Sequence, residues 1–277
     1  MISGRTAFIA HLGYPTETFK APMIYNPWFA RHGIDAVVVP MGVKADDYAE
    51  FLRPLFRLSN IHGALVTMPH KITTVALLDD VSVAVKVAGS CNAILRRPDG
   101  SLYGDMFDGE GFTRGARRKG FDFAGARCLV VGAGGVGSAI AASIAAEGPG
   151  SLALFDARAE AAEGLAARLH RHYPNLPVEL RGNDPAGYDL VVNATPLGMT
   201  AGDPLPFDPW RLDRGTFVGE VVMKAEMTPL LEAAASRGCR YVVGTDMLFE
   251  QIPAYLEFFG YGTTTPEVLR EVAEISY

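Results

Sequence analysis

The sequence predicts an α/β protein with parallel sheets, built as two domains. Short β-rich runs alternate with amphipathic helical patterns from one end to the other. A glycine-rich turn just before the midpoint stands between a strand-like run and an alanine-rich helix. The chain is 277 residues long and 49% hydrophobic, enough for two cores of ordinary size.

In the first series, strands are expected at residues 6–10, 36–40, 64–67 and 93–96, where β-branched and apolar residues cluster between turn signals. Helical patterns fall between them at 21–32 and 45–57. Arg97-Pro98-Asp99-Gly100 is a turn that closes a hairpin onto 102–104. A second series starts at Arg127: strand 128–131, helix 135–147, strand 151–155, helix 157–172, then strands 189–193, 216–219 and 240–243. Residues 247–259 and 266–275 read as two closing helices. The domain boundary is placed at the helix 109–119, which gives a first domain of residues 1–107, completed by 246–277, and a second of 108–245.

Composition narrows the function classes. There are 31 acidic against 25 basic residues, and the net charge of −6 comes with no basic stripe. Nucleic acid, whose phosphates demand clustered Lys and Arg, is therefore not an expected partner. The short run Arg114, Arg117, Arg118 and Lys119 reads as a solvated helix end. Three widely spaced cysteines, Cys91, Cys128 and Cys239, give no disulfide framework. His170 and His172 are two apart and point different ways on a helix, so no metal site is expected. No run spans a bilayer, and Met-Ile-Ser-Gly-Arg begins no signal peptide. The expectation is a soluble cytoplasmic protein, monomer or homodimer, acting on a small molecule.

The strongest chemical signal is Gly132-Ala133-Gly134-Gly135-Val136-Gly137. It matches the dinucleotide fingerprint, and its setting matches too, with a β-branched strand before it and a helix after it. The first glycine permits the tight turn, the second lets backbone approach a pyrophosphate, and the third allows close helix–strand packing. The helix N-terminus offers free N–H groups and a positive dipole end to phosphates. Asp156 ends the next strand, where a carboxylate accepts hydrogen bonds from ribose hydroxyls and repels a 2′-phosphate. That favours NAD over NADP, although Arg158 is placed to reach a phosphate. Capping of the following helix is the competing role for Asp156. The second domain is thus expected to be a Rossmann NAD(P)-binding domain.

Motifs in both halves carry a resemblance. Gly63-Ala64-Leu65-Val66-Thr67-Met68-Pro69-His70-Lys71, Ala88-Gly89-Ser90-Cys91-Asn92-Ala93 and Gly104-Asp105-Met106-Phe107-Asp108-Gly109 occur in the first half. Asn193-Ala194-Thr195-Pro196-Leu197-Gly198-Met199, Thr228-Pro229-Leu230-Leu231 and Gly244-Thr245-Asp246-Met247-Leu248-Phe249-Glu250-Gln251 follow. In this order and over nearly the whole chain, they resemble the signatures of the shikimate dehydrogenase family.

The resemblance implies a two-domain fold in which an N-terminal α/β substrate domain, completed by the C-terminal helices, faces the Rossmann domain across a cleft. It implies hydride transfer between a nicotinamide cofactor and a cyclic hydroxy acid such as shikimate, quinate or a relative. Lys71 and Asp108 would be the proton-transfer pair, because an alkoxide forms cheaply only if a proton leaves as hydride leaves. Thr67, Asn92 and Gln251 would bind ring hydroxyls. A turn-pinning role for Asn92, a surface role for Gln251 and helix capping by Asp108 stay open beside these. Asn193, Thr195, Pro196, Met199, Val221 and Gly244 would join the glycine turn, Asp156 and Arg158 around the cofactor.

The family pattern also breaks. Its N-terminal signature grips the substrate carboxylate with two serines, and here Phe19 and Ala21 stand at those positions, in Gly13-Tyr14-Pro15-Thr16-Glu17-Thr18-Phe19-Lys20-Ala21-Pro22. Each lost bond to a charged group is worth roughly 1.5–3 kcal/mol, so shikimate itself should be a poor substrate unless Thr16, Thr18 or Lys20 substitutes. Met223 and Glu220 replace a family tyrosine and aspartate, Leu65 an asparagine, and Met106-Phe107 an Asn-Thr pair. Three readings follow: a dehydrogenase with an altered, less polar substrate site, a drifting paralogue with weak shikimate activity, or a nucleotide-binding sensor on the same fold that no longer turns over.

Overall fold

A computed structural model describes residues 2–17 and 19–275. The chain divides into two compact units. The first comprises residues 1–85, 89–107 and 252–277, and the second residues 86–88 and 108–251. The division falls at Phe107/Asp108 and again between Gln251 and Ile252, within a helix.

The first unit opens with β1 (Ala7–Gly13), α1 (Pro22–Arg31), β2 (Ala36–Gly42), α2 (Ala45–Leu55) and β3 (Ile61–Val66). Then come α3 (Lys71–Val75), β4 (Asp80–Val81), α4 (Val83–Ala88), β5 (Ala93–Arg96) and β6 (Leu102–Asp105). Among the described residues these strands form a six-stranded sheet in the order β2-β1-β3-β5-β6-β4. The sheet is mixed. β1 pairs in parallel with β2 and β3, whereas β5 is antiparallel to both β3 and β6. The turn at Arg97–Gly100 folds β6 back onto β5, with Gly100 N–H donating to the Arg97 carbonyl at 2.9 Å. The C-terminal residues return to this unit: Trp28 Nε1 donates to Thr264 at 3.1 Å, and Glu274 N–H to the Met23 carbonyl at 2.9 Å.

The second unit contains α5 (Asp108–Arg118), β7 (Arg127–Val131), α6 (Gly135–Ala146), β8 (Ser151–Phe155), α7 (Ala159–His172) and β9 (Val178–Leu180). It continues through β10 (Leu190–Asn193), β11 (Phe217–Glu220), α8 (Pro229–Ser236), β12 (Arg240–Val242) and the start of α9 (Gly244–Phe258). The last helix, α10 (Pro266–Val272), belongs to the first unit. The second sheet is all parallel, ordered β12-β11-β10-β7-β8-β9. Strand alternation buries both faces. Cys128 and Val130 pack with Phe112, Ile140, Ile144 and Leu165 on one side, and Leu129 and Val131 with Leu230, Leu231 and Ala234 on the other.

The basic run lies at the C-terminal end of α5, where Arg117, Arg118 and Lys119 are exposed as a solvated helix end requires. Each cation also has a carboxylate partner: Arg114 with Glu110, Arg117 with Glu147, Arg118 with Glu250 and Lys119 with Asp246. One sequence expectation changes here: the helix expected from residue 157 begins at Ala159. The three cysteines are free and buried. Among the described residues no helix is long and apolar enough to cross a membrane.

Candidate active site

In the second unit, register gathers the nucleotide-site candidates. Val131 lies beside both Phe155 and Asn193, and Asn193 beside Glu220. The segments that follow, beginning at Gly132, Asp156, Ala194 and Val221, therefore all leave the same edge of the sheet, at the C-terminal ends of its strands. The chain builds β7, β8 and β9 in one direction, then crosses to place β10 on the other side of β7. That reversal is where open parallel sheets bind ligands.

The glycine turn fits a dinucleotide. Gly132 has φ +107°, a left-handed conformation, and its N–H donates to the Phe155 carbonyl at 2.7 Å. A Cβ on Gly137 would lie 1.9 Å from the Gly132 oxygen, so α6 approaches the turn as closely as backbone allows. A Cβ on Gly134 or Gly135 would meet nothing within 4 Å, and the Gly134 cap leaves the first turn of α6 without a side-chain acceptor. Open space in front of uncapped N–H groups is what a pyrophosphate requires. Val136, half-buried, is the second residue of the helix.

Asp156 reaches into the same turn. Its Oδ2 accepts from Ala133 N–H at 2.7 Å and its Oδ1 from Arg158 N–H at 2.9 Å. Arg158 itself takes the N-cap position of α7 and makes no side-chain cap bond there. Each carboxylate oxygen keeps a second lone pair for a ribose hydroxyl. The Arg158 guanidinium is exposed, 3.7 Å from Asp156.

Asn193 is fully enclosed. Its Oδ1 accepts from Thr195 N–H (3.1 Å) and Oγ1 (2.7 Å), while its Nδ2 donates to the Leu197 carbonyl and to Glu220. It therefore shapes the loop carrying Thr195, Pro196 and Met199. Pro196 and Met199 are exposed and Thr195 is half-buried. Gly244 is buried, and a Cβ there would sit 2.4 Å from the Val222 oxygen and 2.9 Å from that of Val221, so it acts by admitting close packing. The hub beneath this edge is Glu220, 1% exposed, which accepts from Asn193, Thr228 Oγ1 (2.9 Å), Val221 N–H (2.8 Å) and Val222 N–H (3.1 Å). Burial pushes its carboxyl above the usual range, and these donors pull it back.

Asp108 is buried and is the first residue of α5. Gln251 is half-buried on α9, and its Oε1 is buried without a hydrogen-bond partner among the described residues. That disposes of a surface role for it.

In the first unit, β1 and β3 run parallel, so Gly13 and Thr67 leave the sheet at one edge. Thr67 N–H donates to the Leu12 carbonyl at 2.9 Å. Lys71 opens α3 four residues later and is half-buried, its carbonyl accepting from Cys91 N–H at 2.9 Å. The neighbouring His70 anchors this turn: it stacks on Tyr48 (centroids 3.8 Å apart) and its Nε2 lies 2.7 Å from the Val43 carbonyl. Asn92 precedes β5 at the same edge. Its Oδ1 accepts from Phe107 N–H at 2.9 Å, so the turn-pinning role holds for that atom. Thr16, Phe19, Lys20 and Ala21 are half-buried, and Thr18 lies outside the described residues.

Sequence reasoning missed one group here. His11, in the middle of β1, is 8% exposed, and its ring stacks on Phe19 at 4.1 Å. Burial, with the Lys71 charge adding to it, lowers its pKa to about 4. The available signal was a lone imidazole in the apolar run Ala7-Phe8-Ile9-Ala10-His11-Leu12.

Residues 12–94 match the family model described as the shikimate dehydrogenase substrate binding domain. A shikimate dehydrogenase (NADP(+)) of Acidiphilium cryptum is 34% identical over 97% of this chain and 96% of its own. A shikimate 5-dehydrogenase from Listeria monocytogenes, crystallised in complex with shikimate and NAD, shares 26% identity and superposes with a TM-score of 0.91 over 98% and 97% of the two chains. The 5-ketofructose reductase of a Gluconobacter strain shares 25% identity, with a TM-score of 0.89 over 98% and 99%. With likeness of this degree running end to end, the chain belongs to the shikimate dehydrogenase family.

Proposed function

We propose that this protein is an oxidoreductase that transfers hydride between a nicotinamide cofactor and a small cyclic hydroxy acid, shikimate, quinate or a relative. The observation that carries this reading is the glycine turn, with open space before Gly134 and Gly135 and with Asp156 bonded into it. When bound, the nicotinamide supplies the carbon that takes or gives the hydride. Gly134, Gly135 and Val136 would hold the pyrophosphate through backbone N–H groups, and Asp156 the adenosine ribose. A carboxylate there favours NAD over NADP, since a 2′-phosphate would face a like charge. Arg158 is the residue through which NADP would be accommodated.

Lys71 would take the hydroxyl proton as the carbon is oxidised and return it in the reverse direction. Asp108 would accept a hydrogen bond from the same hydroxyl and orient it. Thr67, Asn92 and Gln251 would bind the remaining hydroxyls, and the unpaired Gln251 Oε1 supports that assignment, because such an atom is costly unless a ligand satisfies it. A second reading, an uncharged keto sugar or polyol as substrate, is favoured by one observation: Phe19 and Ala21 offer no hydroxyls to a carboxylate.

The test is a coupled assay of shikimate, quinate, related acids and uncharged polyols with both nucleotides. Lys71→Ala and Asp108→Asn should each lower turnover by about 10²–10⁴-fold while nucleotide binding, followed by fluorescence, persists. Full activity in both variants would refute the assignment.

A further inference from the structure

The proton-transfer reading leaves one buried polar group unused. His11 Nδ1 is buried and has no hydrogen-bond partner among the described residues. An aliphatic side chain would fill an apolar strand at no such cost, whereas a buried unpaired ring nitrogen is destabilising. The surroundings indicate what it serves. His11 and Gly13 are two apart on β1 and share a face of the sheet. A Cβ on Gly13 would meet Thr67 Cγ2 at 2.5 Å and Phe19 Cζ at 2.7 Å, so both of those side chains lie over that face. The Lys71 ammonium is near enough to act on the imidazole. The imidazole, the Thr67 side chain and the lysine therefore gather at one edge of β1 and β3, with the Phe19 ring as a wall.

We propose that His11 is a substrate-binding, specificity-determining residue, its Nδ1 hydrogen-bonding a hydroxyl on an uncharged part of the substrate. A neutral imidazole nitrogen donates or accepts according to tautomer, and a hydroxyl can answer either way. With a folded pKa of about 4 the ring is neutral at pH 7, so it brings no positive charge with which to hold a carboxylate. The Phe19 ring face beside it adds no donor. The proposal rests on the hydride-transfer reading and names one contact within it.

The test compares His11→Leu, which keeps the volume and removes the polar atom, with His11→Asn, which restores an amide near the Nδ1 position. For whichever substrate the wild type accepts, His11→Leu should raise KM by about 10–100-fold, with the nucleotide KM unchanged. His11→Asn should stay within about five-fold of wild type. An unchanged KM in His11→Leu, or equal losses in both variants, overturns the proposal. Should His11→Leu fail to fold, His11→Gln replaces it: its amide reaches the Nε2 position instead, so it should bind substrate poorly where His11→Asn does not, and equal behaviour overturns the idea. If the wild type turns over nothing in the panel, the hydride-transfer reading falls separately. Equilibrium titration of the same compounds then decides: binding weakened in His11→Leu and kept in His11→Asn supports the contact, and any other pattern, including no binding, overturns it.

Discussion

Two alanine substitutions three residues apart in the glycine-rich run should have opposite consequences. At Gly134 an added methyl meets open space, and the backbone, with φ −72° and ψ −168°, suits any residue. Gly134→Ala should leave unfolding free energy within about 1 kcal/mol of wild type, because the gain from a stiffer unfolded chain and the loss of a preferred N-cap oppose each other. The methyl would occupy the space assigned to the pyrophosphate. Losing one charge-assisted hydrogen bond there costs about 1.5–3 kcal/mol, or about 10–150-fold in nucleotide affinity. At Gly137 the methyl would lie 1.9 Å from the Gly132 oxygen, with backbone on both sides of the clash. A normal contact needs about 3.4 Å, so α6 must retreat or the turn must open, at a cost of at least about 1–3 kcal/mol. Urea unfolding and nucleotide titration of both variants check this. A Gly134→Ala protein that binds nucleotide as tightly as wild type would refute the placement of the phosphates.

Two further outcomes are expected. Phe19→Ser combined with Ala21→Ser should raise kcat/KM for shikimate by about 10²-fold or more, read in the same coupled assay, and no gain would show that the hydroxyls act elsewhere. His11 should make stability depend on acid. Its folded pKa of about 4 lies below the ordinary 6.5, so the unfolded chain binds the proton more readily. Its contribution is present above pH 6.5 and is lost as pH falls from 6.5 toward 4, by about 3 kcal/mol in all. His11→Asn should flatten that part of the stability profile, measured by urea unfolding at successive pH values.

What the sequence revealed depended on how local each feature is. The glycine turn is a run of six residues whose backbone needs are met within the run and by the strand before it, so spacing alone exposed it. The sequence pattern ends strand β1 at residue 10, but the strand runs to Gly13, because His11, Leu12 and Gly13 keep their register with Pro40, Met41 and Gly42. The short helices α3 and α4 and the two-residue β4 carry too little periodicity to stand out, although Ser82 and Gly89 do cap α4 by ordinary rules. Helix α8 begins at Pro229 with Thr228 as its cap, a strong start signal that in the sequence is embedded in a family motif. Roles that depend on distant partners were out of reach. That Asn193 shapes its loop, that Glu220 gathers four donors and that His11 Nδ1 lacks a partner are facts of three-dimensional neighbourhood.

The helix that begins with Asp108 touches the helix that follows the glycine turn so closely that a methyl on Gly109 would lie 2.0 Å from the Ala139 oxygen. Backbone against backbone leaves no compliant layer between them, so Asp108 and the start of α6 travel as one casting. Any sequence drift that resizes the nucleotide grip by shifting α6 will displace the acid by a similar amount. If Asp108 and the glycine turn have the roles proposed for them, cofactor preference and catalytic alignment are therefore expected to change together.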